Sequence, residues 1–543
     1  MRQRVEDWIA DDPDPDSRAE LRGLLDRWPE TEAELADRFA GPLTFGTAGL
    51  RGPLRAGPNG MNLAVVRGAA AGLVRWLADR GAAGPLVIGY DARHGSRRFA
   101  EETARVATGA GRDALLLPRP LPTPVLAHAV RKLDAVAGVV VTASHNPPTD
   151  NGYKVYLGAA LGGPAGAGAQ IAPPVDAEIE AAIRSVGPLS AVPLGPPGTV
   201  LGEDIVTAYI NAAAAVVDPD GPRELAVAYT PLHGVGAGVL AAAMARAGFA
   251  EPAMVTEQVE PDPTFPTVAF PNPEEPGAMD RVLALAADLG ADLAIANDPD
   301  ADRCAVAVPD GTGWRVLTGD ELGVLLADHL IRRGQPGRYA TTIVSSSLLR
   351  AVCEARGVPY GETLTGFKWI VRAGEDLAYG YEEALGYCVA PQLVRDKDGI
   401  TAALLVCELA AGLRAELRTL TDRLDELAAE FGVYATEQVS VRVDTPDEIA
   451  AVMARVRSAP PKSLLDEPVT ELDDRLPDAD VLALRTANAR LVVRPSGTEP
   501  KLKAYLEVVE PVTGPDDVPA ARERARAALC ALRTETVAAL GLW

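Results

Sequence analysis

The fold can be predicted from the pattern of residues 87–117, VIGYDARHGSRRFAEETARVATGAGRDALLL. This stretch consists of a short apolar strand, a polar loop, an apolar helix, a glycine and a second short strand. The same plan recurs at residues 226–255 and again at residues 340–364. Strands that alternate with helices of this length indicate crossover units and mainly parallel sheets. The sequence therefore predicts three similar α/β domains in series.

The two ends of the chain differ from this repeat. The first 40 residues are acidic and amphipathic and predict one or two helices. From about Val433, strand-rich segments replace the alternation, and a terminal helix is expected near residues 517–539. The expected domains are an N-terminal helical extension at 1–40, three α/β domains with mixed or parallel sheets at 41–190, 191–309 and 310–431, and an α+β domain at 432–543.

The composition limits the classes of partner. The chain of 543 residues carries 75 acidic and 52 basic side chains, a formal net charge of −23. This acidic excess argues against a nucleic-acid backbone or an anionic membrane as a partner. The five cysteines are scattered without C-x-x-C spacing, and no apolar run reaches the ~20 residues of a membrane span. We expect a cytoplasmic protein, a monomer or weak dimer, that binds small molecules.

A first polar loop follows an apolar strand, in a position where α/β sheets bind ligands beyond the carboxyl ends of their strands. The stretch TASHNP places Thr142, Ser144, His145 and Asn146 directly after the strand. Taken alone, a polar cluster ended by two prolines fits an ordinary turn equally well. Its function therefore depends on the other loops.

A second loop, DPDADR, sets Asp298, Asp300 and Asp302 at alternate positions, with Arg303 next. Oxygen-only ligands at this density suit a hard cation such as Mg²⁺, whereas three unpaired carboxylates would repel one another. An EF-hand is excluded, because Arg303 and Pro309 stand where that loop requires Gly and Glu. A solvated acidic turn is the structural alternative.

Two further loops offer groups for a phosphorylated sugar. In YEEALGY, the neighbouring Glu382 and Glu383 can hold two adjacent sugar hydroxyls, although such pairs are usually only surface residues. In RPSGTEPK, a guanidinium, hydroxyls, an amide and an ammonium lie within eight residues, and a phosphate dianion requires such groups. The groups belong to Arg494, Ser496, Gly497, Thr498 and Lys501.

Five stretches together resemble the α-D-phosphohexomutase superfamily, in the order and spacing of that family, over roughly residues 40–543. They are FGTAGLRG at 45–52, TASHNP at 142–147, DPDADR at 298–303, YEEALGY at 381–387 and RPSGTEPK at 494–501. The resemblance implies four domains around a central cleft. TLTGFKW at 363–369 and RDKDG at 395–399 are most similar to the branch of phosphoglucomutase-2-type and phosphopentomutase enzymes. In the sugar loop, Tyr381 and Ala384 replace the family's Gly and Ser, which removes a hydroxyl.

The resemblance also implies residue roles. Ser144 would be the phosphoserine, and a phosphoryl oxygen on it would bind Mg²⁺ together with the carboxylates of Asp298, Asp300 and Asp302. Glu382 would hold sugar hydroxyls. The phosphate that does not react would be held by Arg494, Ser496, Gly497 and Thr498. The positions that line the reacting centre are Arg51, His145, Lys154, Arg303 and Lys368, with Lys154 or His145 as the candidate general base or acid.

The expected function is that of a phosphosugar mutase that interconverts aldose 1-phosphate and 6-phosphate of glucose or mannose. It would act through a phosphoserine and a bisphosphosugar intermediate, with Mg²⁺ and a bisphosphosugar activator similar to glucose 1,6-bisphosphate. A phosphopentomutase acting on ribose or deoxyribose phosphate is the alternative. Two other classes fit less well: a haloacid-dehalogenase-type phosphotransferase with Asp298 as nucleophile, and a catalytically silent sugar-phosphate sensor. The phosphotransferase motif expects Thr or Val at the position of Asp302, and it leaves Ser144 and RPSGTEPK without roles. The sensor is disfavoured because a nucleophile, metal ligands and a phosphate loop are all predicted.

Overall fold

The computed structural model of the protein describes residues 1–46, 49–311, 313–442, 446–495 and 501–541. Within these ranges, no helix is both long and apolar enough to span a membrane. The N-terminal segment forms three helices, where the sequence suggested one or two: α1 (Arg2–Asp11), α2 (Pro15–Asp26) and α3 (Glu32–Arg38). Asp14 caps α2 by accepting the Asp16 N–H, and Pro15 occupies the first turn, where no N–H is required.

The first domain contains a seven-stranded sheet. Its elements are β1 (Leu50–Pro53), α4 (Leu63–Asp79), β2 (Leu86–Tyr90), α5 (Ser96–Gly109), β3 (Ala114–Leu116), α6 (Thr123–Lys132), β4 (Ala137–Val141), β5 (Asp150–Leu157), α7 (Ala159–Gly166), β6 (Ala169–Gln170), α8 (Val175–Arg184) and β7 (Thr199–Val200). The strand order is β1-β5-β4-β2-β3-β7, with β6 paired to β5. Strands β4, β2, β3 and β7 are parallel, and β5 runs antiparallel to β4. Val140 packs with α6 while Val139 and Val141 pack with α4 and α5, so both faces of the sheet are covered.

The second and third domains repeat this plan with fewer strands. The second contains α9 (Asp204–Ala214), β8 (Val227–Thr230), α10 (Ala237–Arg246), β9 (Ala253–Met254), α11 (Asp280–Leu289), β10 (Leu293–Ala296), β11 (Ala305–Pro309) and β12 (Trp314–Val316). The third contains α12 (Gly319–Arg332), β13 (Arg338–Thr342), α13 (Leu348–Arg356), β14 (Tyr360–Thr363), α14 (Phe367–Ile370), β15 (Leu377–Glu382), β16 (Gly386–Cys388), α15 (Gly399–Ala415) and α16 (Leu420–Phe431). The strand orders are β12-β11-β10-β8-β9 and β14-β13-β15-β16.

An antiparallel hairpin occupies the same place in all three sheets. In each sheet, the strand at one end of the parallel set pairs with the next strand of the chain, which runs antiparallel to it. These pairs are β4–β5, β10–β11 and β15–β16. Three of the predicted polar loops connect or end these pairs: the serine loop (142–149), the aspartate loop (297–304) and the glutamate loop (381–387). The prediction of three similar α/β domains is therefore confirmed, and the three loops are topological equivalents.

The fourth domain is an antiparallel sheet covered by two helices. Its elements are β17 (Val433–Arg442), α17 (Pro446–Ser458), β18 (Ser463–Leu464), β19 (Glu467–Pro468), β20 (Glu471–Asp474), β21 (Leu482–Arg485), β22 (Ala489–Pro495), β23 (Lys501–Glu510) and α18 (Val518–Leu540). The main sheet has the order β17-β23-β22-β21-β20, and β18 pairs with β19 separately. This agrees with the α+β prediction.

The apolar core is continuous through the first three domains. One cluster contains Leu126 of α6, Tyr209 of α9, Val239 of α10 and Leu404 of α15, so helices of neighbouring domains share it. The fourth domain has a core of its own around β22, β23 and α18. A small cluster, in which Ile343 and Val344 meet Val492 and Tyr505, joins it to the third domain. The first three domains therefore form one block, to which the fourth is attached by a small patch.

Candidate active site

Ser144 lies in the serine loop with a left-handed backbone φ of 51°. Thr142 fixes the turn, because its Oγ1 accepts the Ser144 N–H at 2.9 Å. The Ser144 side chain is buried, and its Oγ donates a hydrogen bond of 2.6 Å to Asp298 Oδ2. His145 Nδ1 lies 3.1 Å from the same Oγ. The fold therefore brings the serine of the first domain against an aspartate of the second.

Asp298, Asp300 and Asp302 form a cluster of fully buried carboxylates in the aspartate loop. One oxygen of each lies within 4.8 Å of the others. Burial raises the pKa of Asp298 well above its usual value, and the charges of Asp300 and Asp302 raise it further. Buried carboxylates at this density need compensating positive charge. The cluster is therefore suited to hold a cation.

Lysines neutralise part of this charge and leave oxygens free. Lys154 Nζ donates to Asp300 Oδ2 at 2.8 Å and to Asp302 Oδ2 at 3.1 Å, and Lys397 Nζ lies 3.2 Å from the same Asp302 oxygen. Asp300 Oδ1 and Asp302 Oδ1 are buried and accept no hydrogen bond within the described part of the chain. Free carboxylate oxygens, with no thiol or imidazole in the cluster, fit Mg²⁺. The three aspartates could therefore bind this metal.

Two more predicted basic residues border Ser144. Arg51 lies on β1, and its Nη1 donates to Asn146 Oδ1 at 2.9 Å. Burial lowers the pKa of His145 well below its usual value, and the charges of Arg303 and Arg51 lower it further. The imidazole is therefore neutral at neutral pH. The structure thus gathers Arg51, His145, Lys154 and Arg303 around the serine and the aspartates.

The glutamate loop turns its two carboxylates in different directions. Glu383 accepts hydrogen bonds from Ser345 Oγ at 2.9 Å and from Thr342 Oγ1 at 3.3 Å, within its own domain. Burial raises the pKa of Glu382 to about 6, against the lowering effect of Lys397 and Arg303. Glu382 is therefore the carboxylate that lies near Lys397 and Arg303, the cations beside the aspartate cluster.

Packing explains the departure at Tyr381, and nothing in the structure explains the alanine at position 384. Tyr381 is fully buried in the third domain, and its hydroxyl donates to Asp320 Oδ1 at 3.0 Å. Ala384 contributes its main-chain oxygen, which accepts from Arg303 Nη1 at 2.6 Å. The Cys304 N–H donates to the next carbonyl, that of Leu385, at 3.1 Å. These contacts fasten the aspartate loop to the glutamate loop.

For Lys368 and Arg494, the structure shows the surroundings of each side chain but no contact with the aspartate cluster among the described residues. Lys368 Nζ is buried without a hydrogen bond among the described residues, and burial lowers its pKa. The charged groups that act on it most strongly are Asp176 and Arg372, so the ammonium is not held by the aspartate cluster. Arg494 Nη1 donates to Pro495 O at 3.0 Å and its Nε is buried without a partner in the same ranges. Ser496, Gly497 and Thr498 lie outside the described residues, and their phosphate-binding role stays a prediction.

Two residues at the aspartate cluster were not singled out from the sequence. Thr123 begins α6 in the first domain, and its Oγ1 donates to Asp300 Oδ2 at 2.7 Å. Lys397 follows β16 and belongs to the third domain, yet it reaches Asp302. The RDKDG stretch was a visible signal for Lys397, since a lysine between two aspartates after a strand is poised to pair with acid groups. Thr123 carries no such signal.

A buried serine beside a carboxylate cluster and several fixed cations is an arrangement for phosphoryl transfer, which depends on positioning and charge neutralisation. Comparison with known proteins agrees with this class. Four models of phosphoglucomutase/phosphomannomutase match in chain order: α/β/α domain I at residues 42–188, domain II at 207–311, domain III at 318–431 and the C-terminal domain at 439–513. The chain belongs to the phosphoglucomutase/phosphomannomutase family, and hence to the α-D-phosphohexomutase superfamily.

Individual relatives are consistent with this family. A probable phosphomannomutase of Haemophilus influenzae is 45% identical over 457 residues, covering 82% of this chain and 93% of that protein. The phosphopentomutase of Homo sapiens is 32% identical over 545 residues, covering 88% of this chain and 87% of that protein. The crystal structure of a putative phosphomannomutase from Thermus thermophilus matches with a TM-score of 0.67 and 26% identity, over 90% of this chain and 99% of that chain. The protein is a phosphosugar mutase.

Proposed function

We propose that this mutase interconverts the 1-phosphate and 6-phosphate of glucose or mannose through a phosphorylated Ser144. The observation that supports it is the 2.6 Å hydrogen bond from Ser144 Oγ to Asp298, which belongs to a carboxylate cluster that could hold a cation. The name of the 45% identical relative, a probable phosphomannomutase, favours a hexose. The shared family favours transfer between two positions of one sugar.

In the first half-reaction, the bond between phosphorus and Ser144 Oγ breaks and a bond forms between phosphorus and the free hydroxyl of the sugar phosphate. The hydroxyl proton passes to a nearby base, for which the neutral imidazole of His145 is the candidate, and Ser144 Oγ takes up a proton as it leaves. Lys154 is the candidate acid, because, against the lowering effect of burial, its ion pairs with Asp300 and Asp302 raise its pKa and keep it an ammonium. The resulting bisphosphosugar turns end over end. In the second half-reaction its other phosphoryl group returns to Ser144, and the isomeric monophosphate leaves. A bisphosphosugar activator would phosphorylate Ser144 initially.

The charges around Ser144 suit this transfer. Asp298, Asp300 and Asp302 would hold Mg²⁺, which when bound neutralises charge on the transferred phosphoryl group. Lys154 and Lys397 restrain the carboxylates of the cluster through their ion pairs. The guanidinium groups of Arg51 and Arg303 add fixed positive charge beside the phosphoserine.

The remaining predicted residues would bind the rest of the substrate. Glu382 accepts hydrogen bonds from sugar hydroxyls, while its neighbour Glu383 stays in its intradomain contacts. Arg494 holds the phosphate that is not reacting, in either orientation of the bisphosphosugar. It does so with the loop residues Ser496, Gly497 and Thr498, and Lys368 adds a cation on the side of the third domain.

A phosphopentomutase is the second candidate, because several relatives at 31–32% identity, including the mouse and human proteins, carry that name. Initial rates should be measured for four substrates, the 1-phosphates of glucose, mannose, ribose and deoxyribose, with Mg²⁺ and glucose 1,6-bisphosphate present. We expect kcat/KM for a hexose phosphate to exceed that for both pentose phosphates by about tenfold or more. A higher kcat/KM for a pentose phosphate would establish the second candidate instead. Conversion of none of the four would refute both.

A further inference from the structure

Arg93 lies beneath the serine loop and holds its main chain. The guanidinium Nη2 donates to the carbonyl oxygens of Ser144 at 2.5 Å and Asn146 at 2.6 Å. Its Nη1 donates to the carbonyl oxygens of Pro147 at 2.8 Å and Asp150 at 3.2 Å. The Arg93 side chain is only 1% exposed. One buried side chain therefore satisfies four carbonyls across the loop that carries the proposed phosphoserine.

Arg93 is itself fixed from two other directions. Asp91 Oδ2 lies 3.4 Å from Arg93 Nε, and Asp91 Oδ1 accepts both the Arg93 N–H at 3.0 Å and the Ser96 hydroxyl at 2.6 Å. The ring of Phe265, from the second domain, covers the guanidinium at 4.9 Å. The planar group is thus held between an acid of its own domain and an aromatic ring of the next domain.

The serine loop needs such support, because Ser144 has a left-handed φ of 51°. A non-glycine residue persists in this region when the surrounding structure holds it there. In this conformation Ser144 Oγ points at Asp298. Without Arg93, four carbonyl groups would lose a hydrogen bond, although the Pro147 carbonyl would keep the Asp150 N–H as a donor. The loop would then lose the contacts that oppose its relaxation.

We propose that Arg93 is a positioning residue for phosphoryl transfer, which aims Ser144 Oγ at the aspartate cluster without touching the substrate. This inference rests on the proposed role of Ser144. The geometry requires arginine, since only its planar fork presents paired donors to several carbonyls at once. A lysine keeps the charge opposite Asp91 but has a single nitrogen, so it cannot reach both ends of the loop.

The test is Arg93→Lys, assayed in both reaction directions. We expect kcat to fall about a hundredfold in each direction, because a nucleophile displaced by ~1 Å loses about that much, with KM changed less than about twofold. Backbone hydrogen exchange over residues 142–150 should become faster. The matched control is Arg97→Lys, in the first turn of α5 just after Arg93, with a side chain that is 77% exposed. It should leave kcat, KM and hydrogen exchange unchanged.

Phosphopeptide mapping of the wild-type enzyme, after incubation with glucose 1,6-bisphosphate, separates this inference from the one it rests on. A wild-type Ser144 that never carries phosphate overturns the proposed function. A phosphorylated Ser144 with near-normal kcat in Arg93→Lys, or a raised KM at unchanged kcat, overturns the role of Arg93 alone. If Arg93→Lys does not fold, Phe265→Leu retains apolar bulk and removes only the ring over the guanidinium. That variant should lower kcat about threefold at unchanged KM, and an unchanged kcat would overturn the inference.

Discussion

The hydroxyl of Ser144 points at a carboxylate cluster, and this orientation separates it from the nucleophile of a hydrolase. A hydrolytic serine donates to a histidine that a third group orients. Here the donated bond goes to Asp298, with Lys154 and Lys397 beyond it. A phosphoryl group on Ser144 would lie among these cations and the free aspartate oxygens.

Replacing the serine should therefore remove the chemistry and spare the fold. We expect Ser144→Ala to lower kcat by roughly three orders of magnitude or more in both directions. The melting temperature should change little, because the Arg93 contacts use the carbonyl of residue 144 and survive the change. Coupled assays and a thermal melt measure both quantities. Near-normal turnover in this variant would exclude Ser144 as the phosphate carrier.

Removing Mg²⁺, or Asp300 as one of its proposed ligands, should also lower turnover strongly. Excess EDTA should abolish turnover, and Mg²⁺ should restore it in the wild type. Asp300→Asn should lower kcat about a hundredfold or more, since it removes one charge from the oxygen-only ligand set. Asp288→Asn, at an exposed position of the same domain, is the matched control and should behave as wild type. Full activity of Asp300→Asn in EDTA would contradict the assignment.

Short motifs placed Ser144 and the aspartates in loops that directly follow strands, whereas the roles of these residues came from the family resemblance and stay predictions. Such motifs could not predict Arg93, whose acceptors lie 51 to 57 residues further along the chain. Lys368 was expected at the reacting centre, yet its charged neighbours are Asp176 and Arg372. The direction of a long side chain depends on packing between domains, which the local sequence does not contain.

At the scale of elements, Arg303 connects two of the equivalent hairpins. Its Nη1 holds the carbonyl of Ala384 at 2.6 Å, so the position of the glutamate loop depends on the aspartate loop. We expect Arg303→Lys to raise KM for the sugar phosphate about tenfold, because one charge-assisted hydrogen bond is lost and Glu382 shifts with its loop.

The control for this variant is Arg281→Lys, an exposed arginine of the same domain that pairs with Glu257 at 2.8 Å. Its KM should equal that of the wild type. Michaelis constants for both variants are compared at saturating Mg²⁺. An unchanged KM in Arg303→Lys would mean that the two loops keep their places independently.

The three repeats could be predicted because each pairs a short apolar strand with a helix of clear periodicity. They correspond to β2–α5–β3, β8–α10–β9 and β13–α13–β14. The antiparallel hairpins that carry the loops were not evident, since β4, AGVVV, is buried throughout and looks the same in either pairing direction. Strand direction is set by tertiary pairing, so the equivalence of the loops became visible only in the sheet.

In the whole molecule, a buried ion pair of the fourth domain makes hydrogen bonds to the third domain. Glu507 accepts the Ser347 N–H at 2.7 Å, and its Oε1 lies 3.5 Å from Arg490 Nε. Arg490 Nη1 in turn donates to Ile343 O at 3.2 Å. The same segment contains Ser345, which holds Glu383 of the glutamate loop. The position of the fourth domain is therefore connected to the glutamate loop, which is proposed to bind the sugar.

Weakening this contact should loosen the fourth domain. We expect Glu507→Gln to raise KM for sugar phosphates about tenfold, because Arg490 keeps its buried charge without a counter-ion. Release of inorganic phosphate relative to transfer should also rise, since the centre is less well closed from water. The control is Glu510→Gln on the same strand, which pairs with Arg524 of its own domain. Equal KM values and equal phosphate release in the two variants would contradict this coupling between the fourth domain and the glutamate loop.

A pulse and chase of the phosphoryl group tests directly whether Ser144 carries phosphate between the two sugar positions. The enzyme is incubated with radiolabelled glucose 1,6-bisphosphate, freed of excess label, and divided between phosphopeptide mapping and a chase with unlabelled glucose 1-phosphate. We expect one labelled peptide that contains Ser144 and is stable to hydroxylamine, and transfer of the label to sugar at a rate no slower than kcat. Label on the Asp298 peptide that hydroxylamine releases, or label on Ser144 that the sugar does not remove, would contradict it.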